Sequence, residues 1–138
     1  MTMPDQRRAN WLFLRSKFAK QRYNARLRGL AWRLNEDALI ERILDSGKCC
    51  LSGRALVFES NYMTTPSLDR IDSDMGYTDA NVQWVGASIN TAKATLNNQD
   101  FVDMCADIAR HNGYTVTKLH VEAVDGLEHN PETLGIEE

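Results

Sequence analysis

The sequence predicts an α+β fold, and two observations carry that prediction. Apolar residues recur at helical spacing near both ends of the chain, and two short strand-like segments lie between these helices, bounded by turn residues. The length of 138 residues fits one small domain with short appendages. Because no stretch of about 18 apolar residues is present, a membrane-spanning helix is not expected.

The first predicted helix covers residues 6–27 and ends before Gly29. Beside its apolar face, four arginines fall in a strip that spans roughly 40°, and a fifth follows the helix: Arg8, Arg15, Arg22, Arg26 and Arg28. A phosphate backbone can bind along such a strip. Alternatively, the arginine stems cover apolar surface at the edge of an internal interface while the charged heads stay in water. We favour the nucleic-acid interpretation slightly.

An extended segment over residues 30–34 precedes a second predicted helix. Asn35 caps that helix, acidic residues fill its first turn, and Gly47 ends it. Residues 48–51 then predict a short strand before a turn.

The central part of the chain predicts two strands, at residues 67–71 and 82–85, joined by a turn over residues 72–78. A helix over residues 87–96 follows directly. Asn98 then caps a last helix, which ends at Gly113 and is expected to turn its apolar residues inward: Phe101, Val102, Cys105, Ile108 and Ala109. Residues 114–121 predict an edge strand, and the sequence beyond Asp125 predicts disorder.

The net charge of −3 hides an uneven distribution. Through Arg33 the chain carries nine basic residues and one acid, a balance of +8, whereas the remainder carries seven basic and eighteen acidic residues, a balance of −11. From His120 onward there are six acids and no Lys or Arg. This asymmetry favours a polyanionic partner for the basic part, and a near-neutral total does not exclude one.

The three cysteines are Cys49, Cys50 and Cys105. An odd count with two adjacent residues does not fit a secreted disulfide framework, so we predict a reducing, cytoplasmic location without a signal peptide. A zinc knuckle that began at Cys49 would need a second cysteine where Ser52 stands, and therefore structural zinc is not expected.

The segment from Ser67 to Lys93 contains an ordered string of motif residues. It fits the pattern SxDRIDxxxGYTxxNVxxxxxxxNxxK throughout, and it resembles the small zinc-less HNH (ββα-metal) endonucleases of bacteriophages. Residues 24–30 resemble the NAKRRGL leader of those proteins, residues 49–53 stand where they have a CYxxG-like turn, and residues 96–108 resemble their trailing helix. The likeness covers about two-thirds of the chain.

The resemblance implies a ββα-metal core that hydrolyses DNA with a bound metal. It implies that Asp69 and Asn90 are the metal ligands, and their carboxylate and amide oxygens suit Mg²⁺ or Mn²⁺. Such an ion stabilises charge on the scissile phosphate and on the leaving 3′ oxygen. By the same resemblance, Asn81 braces the loop after the first strand and orients the base, and Lys93 contacts phosphate as a point charge.

One position departs from the family pattern. The general base of these nucleases is a histidine directly after the first-strand aspartate, and here that residue is Arg70, which stays protonated and cannot accept a proton. Asp72 is the nearest candidate for the base. Arg70 itself is a candidate for binding the scissile phosphate or stabilising the transition state.

These predictions divide the chain into a basic helical arm (residues 1–34), an HNH-like domain (residues 35–113) and an edge strand with an acidic tail (residues 114–138). The favoured function is a metal-dependent DNA endonuclease or nickase of the phage type. The alternative is a catalytically degenerate HNH-fold protein that binds DNA, or that binds or inhibits a phage or host protein. The sequence leaves the oligomeric state and the target site open.

Overall fold

A computed structural model describes residues 4–60 and 63–119 of the chain. They fall into two compact units, the first ending at Asn98 and the second beginning at Gln99. The predicted acidic tail and the end of the predicted edge strand lie outside the described residues, and residues 114–119 form no strand. None of the helices in the described ranges is both long and apolar enough to cross a membrane.

Two helices open the first unit, as the sequence predicted. Helix α1 is Asp5–Leu27 and helix α2 is Glu36–Ser46. The Asn35 side chain accepts a hydrogen bond from the Ala38 amide, 3.2 Å away, and so caps α2 as expected. Gly47 ends α2 with a φ of 62°, a conformation that glycine adopts without steric cost.

The site-bearing sheet has two antiparallel strands. Strand β2 is Pro66–Arg70 and strand β4 is Val82–Gly86, and the register places Asp69 directly opposite Gln83. Helix α3, Ala87–Lys93, follows β4 without a loop and packs against both strands. It is shorter than predicted because Ala94 has a φ of 50°, which no α-helix continues.

A second, smaller sheet was not predicted. Strand β1, Trp32–Arg33, pairs in parallel with strand β3, Tyr77–Thr78, a segment that the sequence assigned to a turn. The two segments meet closely because Gly76 has no side chain; a Cβ there would lie 2.9 Å from the Cβ of Ala31. The predicted strand at residues 48–51 is reduced to one bridge between Lys48 and Ala55.

The core of the first unit lies on the face of β2 and β4 that packs toward α1 and α2. Phe18 is fully buried, and its ring meets that of Trp84 edge-on at 5.5 Å between centroids. The Trp84 indole donates a hydrogen bond to the Leu39 carbonyl over 2.9 Å, which ties β4 to α2. Helix α1 shares this core through Leu14, Phe18 and Ala25. Side chains alternate along a strand, so Ser67 and Asp69 of β2 face α3 instead.

Helix α4, Asn98–His111, begins at the predicted cap. The expected inward face is wrong for three of its members, since Val102 and Ile108 are 45% and 56% exposed and Cys105 is also exposed. Phe101 alone among the five predicted residues is buried.

Candidate metal and phosphate site

A cleft of about 350 Å³ combines residues of β2 with residues of α3. Asp69 and Arg70 line it from the end of β2, and Asn90 and Thr91 line it from α3. Arg28, just after α1, also reaches it. The structure therefore brings together both predicted metal ligands, the residue in the place of the general base and one of the predicted nucleic-acid-binding arginines.

The Asp69 carboxylate is held at one oxygen. Its Oδ2 lies 3.1 Å from the Lys93 ammonium and accepts a hydrogen bond of 2.9 Å from the Gln83 amide. Oδ1 has no hydrogen-bonding partner among the described residues. It is not fully buried, so solvent or a ligand can reach it. Since Asp69 lines the cleft, Oδ1 is the oxygen that remains available to a ligand.

Asn90 is oriented in a similar way. Its side-chain Nδ2 donates a hydrogen bond of 2.7 Å to the Ser67 hydroxyl, two residues before Asp69 on the same face of β2. Because the amide nitrogen is used by Ser67, the amide oxygen is left for the cleft. Asparagine is a poor helix former, and this bond gives it a definite place in α3.

The donor set fits a hard divalent cation. One carboxylate oxygen and one amide oxygen match Mg²⁺ or Mn²⁺, which accept few protein ligands and complete their coordination with water and phosphate. Asp69 and Asn90 would hold the ion, and the ion would supply charge stabilisation to a phosphate. In the described parts of the chain, no three His, Cys, Asp or Glu side chains are grouped so that they could hold a metal.

Arg70 supports the loop that follows β2. Its guanidinium Nη1 donates to the carbonyls of Ser73 and Met75, at 2.8 and 2.9 Å, and the group lies 5.4 Å from the centre of the Tyr77 ring. Guanidinium carries five N–H donors, so others stay available on the cleft side. Arg70 can therefore hold the loop and contact an anion at the same time.

Asn81 braces the same loop from the other side. Its Oδ1 accepts from the Asp72 amide at 2.9 Å, and its Nδ2 donates to the carbonyls of Asp72 and Gly76 at 3.0 and 2.9 Å. Asn81 is 6% exposed and does not line the cleft. Its geometry is that of a loop brace that contacts the loop through backbone groups alone.

The structure does not bring Asp72 to the cleft. The side chain is exposed, and its Oδ1 accepts from the Asp74 amide at 2.9 Å within the loop. The predicted role as a replacement base does not fit this position, because a base must reach the attacking water. Among the described residues that line the cleft there is also no histidine.

Lys93 needs the clearest correction. The predicted phosphate contact requires a solvent-facing ammonium, but Lys93 is completely buried. Its Nζ pairs with Asp69 and also lies 3.1 Å from the Arg70 carbonyl oxygen. A buried charge must be paired and hydrogen-bonded, and the partner here is the predicted metal ligand itself.

The arginine strip of α1 divides into two groups. Arg15 and Arg22 form ion pairs with α2: Arg22 lies 2.7 Å from Glu36, and Arg15 lies 3.0 Å from Asp37. For these two, the interface-edge interpretation fits better than a phosphate track. Arg8 and Arg26 are exposed and have no ion pair with a described residue, and Arg28 is exposed at the cleft.

Two positioning residues escaped the sequence prediction. Ser67 orients Asn90, and Gln83 holds Asp69 from the opposite strand. A signal was present in each case: Ser67 shares a strand face with Asp69, and Gln83 is a polar residue inside the otherwise apolar strand β4. Neither signal is specific without the strand register.

Comparison with known proteins shows a similarity in structure. No protein-family model and no curated protein sequence matches the chain. Among solved structures, the chain is similar to the rare-cutting HNH restriction endonuclease PacI, with a TM-score of 0.52 and 17% identity over 76% of this chain and 78% of that one. At this identity the similarity concerns the fold, and the fold of this chain is accordingly that of an HNH nuclease, α+β in class.

Proposed function

We propose that this protein is a metal-dependent DNA endonuclease or nickase of the phage HNH type. The observation that carries the proposal is the convergence of Asp69 and Asn90 on one cleft, each with a partnered atom and a free oxygen. The HNH-like fold supports it, since the solved structure similar to this chain is a restriction endonuclease. The substrate is DNA, and Mg²⁺ or Mn²⁺ is the cofactor.

The residues of the chain divide the work of phosphodiester hydrolysis. Asp69 and Asn90 would hold the ion, which would supply stabilisation of negative charge on the phosphate. Arg28 and Arg70 face the same cleft and bind the phosphate oxygens. Water adds to phosphorus and gives up a proton to solvent, while the bond from phosphorus to the 3′ oxygen breaks and the 3′ oxygen takes up a proton from solvent. Arg8 and Arg26 contact the DNA backbone away from the cleft.

Slow cleavage is part of the proposal. Arg70 cannot accept a proton, Asp72 points into its own loop, and no histidine lines the cleft within the described residues. Loss of a general base costs about 10²–10⁴-fold in rate. We therefore expect nicking of one strand at a low rate, with strong dependence on the metal.

The test is nicking of supercoiled plasmid in Mg²⁺ or Mn²⁺ by the wild type, Asp69→Asn and Asn90→Ala. Matched controls are Asp74→Asn, an exposed loop carboxylate outside the cleft, and Asn112→Ala, an exposed amide just after the end of α4. We expect both site variants to fall to background while both controls keep wild-type activity. Equal nicking by all five proteins would indicate a contaminating nuclease and would refute the proposal.

A specific observation favours a second candidate, a degenerate HNH-fold protein that binds DNA or inhibits a phage or host protein. Arg70 stands where HNH endonucleases have their general base, and its guanidinium donates to the carbonyls of Ser73 and Met75 in the loop after β2. Arg70→His separates the two functions. If the wild type binds DNA without cutting it and Arg70→His cuts, the natural site is a degenerate one.

A further inference from the structure

We infer that this site binds its divalent metal together with a DNA phosphate and only weakly without one, because Lys93 already neutralises the carboxylate in the cleft. The inference rests on the proposed function and specifies how the same site is regulated by its substrate. Three features carry it: the buried Lys93 pair, the restraint of Asp69 to a single free oxygen, and the charge of the residues that line the cleft.

Lys93 is a permanent component of the site. Its side chain has no solvent exposure, and its ammonium lies 3.1 Å from both the Asp69 Oδ2 and the Arg70 carbonyl oxygen. Moving this charge away from Asp69 would leave two buried charges without partners, which is strongly unfavourable. Lys93 therefore stays beside Asp69 when a metal arrives.

A pair of amide side chains restrains the same carboxylate. Gln83 Nε2 donates to Asp69 Oδ2 at 2.9 Å and to Asn98 Oδ1 at 2.8 Å, and Asn98 Nδ2 returns a bond of 3.1 Å to Gln83 Oε1. This exchange fixes which end of the Gln83 amide faces Asp69. Because Oδ2 receives two donors, Asp69 offers a metal Oδ1 alone.

The charges in the cleft favour an anion first. Asp69 is the only carboxylate among its described lining residues, and the ammonium of Lys93 cancels it. Arg28 and Arg70 add two positive charges at the cleft wall. A divalent cation is repelled by this arrangement, whereas a phosphate is attracted, and once a phosphate is bound its negative charge favours the cation. By linkage, each ligand then strengthens the binding of the other.

The test measures Mn²⁺ binding by the electron paramagnetic resonance signal of the free ion. The full-length protein is titrated alone and with a short DNA duplex, and a titration of the duplex alone supplies the correction. We expect DNA to tighten the binding of Mn²⁺ at least about tenfold. Equal affinity with and without DNA would overturn the inference and leave the proposed function standing. Failure to bind Mn²⁺ in either state would overturn both.

Lys93→Met removes the ammonium and keeps most of the side-chain volume. We expect it to raise the affinity for Mn²⁺ without DNA at least about tenfold and to reduce the effect of DNA. Lys20→Met, which removes an exposed charge on α1, should leave both values unchanged. An unchanged affinity in folded Lys93→Met would contradict the inference.

Arg28→Gln provides a second variant that does not depend on the buried pair. Arg28 is exposed, so its replacement keeps the fold, and it lowers the cleft charge by one. We expect a severalfold rise in the affinity for Mn²⁺ without DNA together with weaker DNA binding. A fall in metal affinity would count against the charge argument.

Discussion

Replacement of Asn81 by alanine removes the brace of the loop at residues 71–76. The side chain makes three hydrogen bonds to this loop, with lengths between 2.9 and 3.0 Å, and is 6% exposed. The variant leaves the Asp72 amide and the Gly76 carbonyl without this partner, while the Asp72 carbonyl keeps only its bond from the Met75 amide. The loop also carries the carbonyls that hold Arg70, so its loosening reaches the cleft.

The expected cost follows from those three bonds. A hydrogen bond in a folded protein contributes about 0.5–1.5 kcal/mol net, and an unpaired buried group costs about 1–3 kcal/mol. Since water reaches part of the loop, we expect Asn81→Ala to lower the free energy of unfolding by about 2–4 kcal/mol. In a unit of this size each kcal/mol lowers the melting temperature by about 4–8 °C. Asn81→Asp keeps the volume but places a carboxylate oxygen against two carbonyls, and it should cost at least as much.

Urea unfolding followed by tryptophan fluorescence measures this effect. All three tryptophans, Trp11, Trp32 and Trp84, lie in the first unit, so the signal reports on the unit that contains the loop. Asn112→Ala serves as the control, because that amide is exposed and bonds only to the Ile108 carbonyl. If Asn81→Ala costs no more than the control, the loop does not depend on Asn81 and the interpretation is wrong.

Three further changes test other parts of the structure. Ala94→Gly should raise the free energy of unfolding by about 1 kcal/mol, because Ala94 has a φ of 50° that glycine adopts without strain; thermal melting measures it. Trp84→Phe should lower it by about 1–3 kcal/mol, because the hydrogen bond from the buried indole to the Leu39 carbonyl is lost; urea unfolding measures it. Burial raises the pKa of the Cys49 thiol, but hydrogen bonds from the Ser52 hydroxyl and from the amides of Ser52, Gly86 and Leu51 outweigh this and hold that pKa below its ordinary value. The free energy of unfolding of the wild type relative to Cys49→Ala should therefore rise as pH increases from this lowered pKa to the ordinary thiol pKa. The gain should be lost as pH falls back below the lowered pKa. A constant difference between the two proteins across that pH range would contradict the prediction.

The sequence was informative where local signals agree with the tertiary fold. Helices α1 and α2 follow from apolar spacing, the Asn35 cap and the terminal glycines, all of which act within a few residues. The strands β2 and β4 and the helix α3 were placed by the motif string from Ser67 to Lys93. Strand β3 was missed because its two residues become a strand only by pairing with β1, a contact across more than forty residues.

The sequence placed the two proposed ligands in one cleft but did not predict the charges around them. Asp69 and Asn90 were placed together because the motif spacing is specific to one supersecondary arrangement. Lys93 was expected at the surface because lysine is rarely buried, and only the packing of α3 against β2 shows that its ammonium reaches Asp69. The pairing of Arg15 and Arg22 with α2 likewise depends on how two helices pack, which helical spacing within α1 cannot reveal.

A crystal structure with Mn²⁺ and a DNA duplex tests the central claim most directly, through the anomalous scattering of the ion. We expect one Mn²⁺ in the cleft, bound by Asp69 Oδ1 and Asn90 Oδ1 and by a phosphate oxygen, with Lys93 still paired to Asp69 Oδ2. An ion bound elsewhere, or DNA bound in the cleft without any ion, would contradict it.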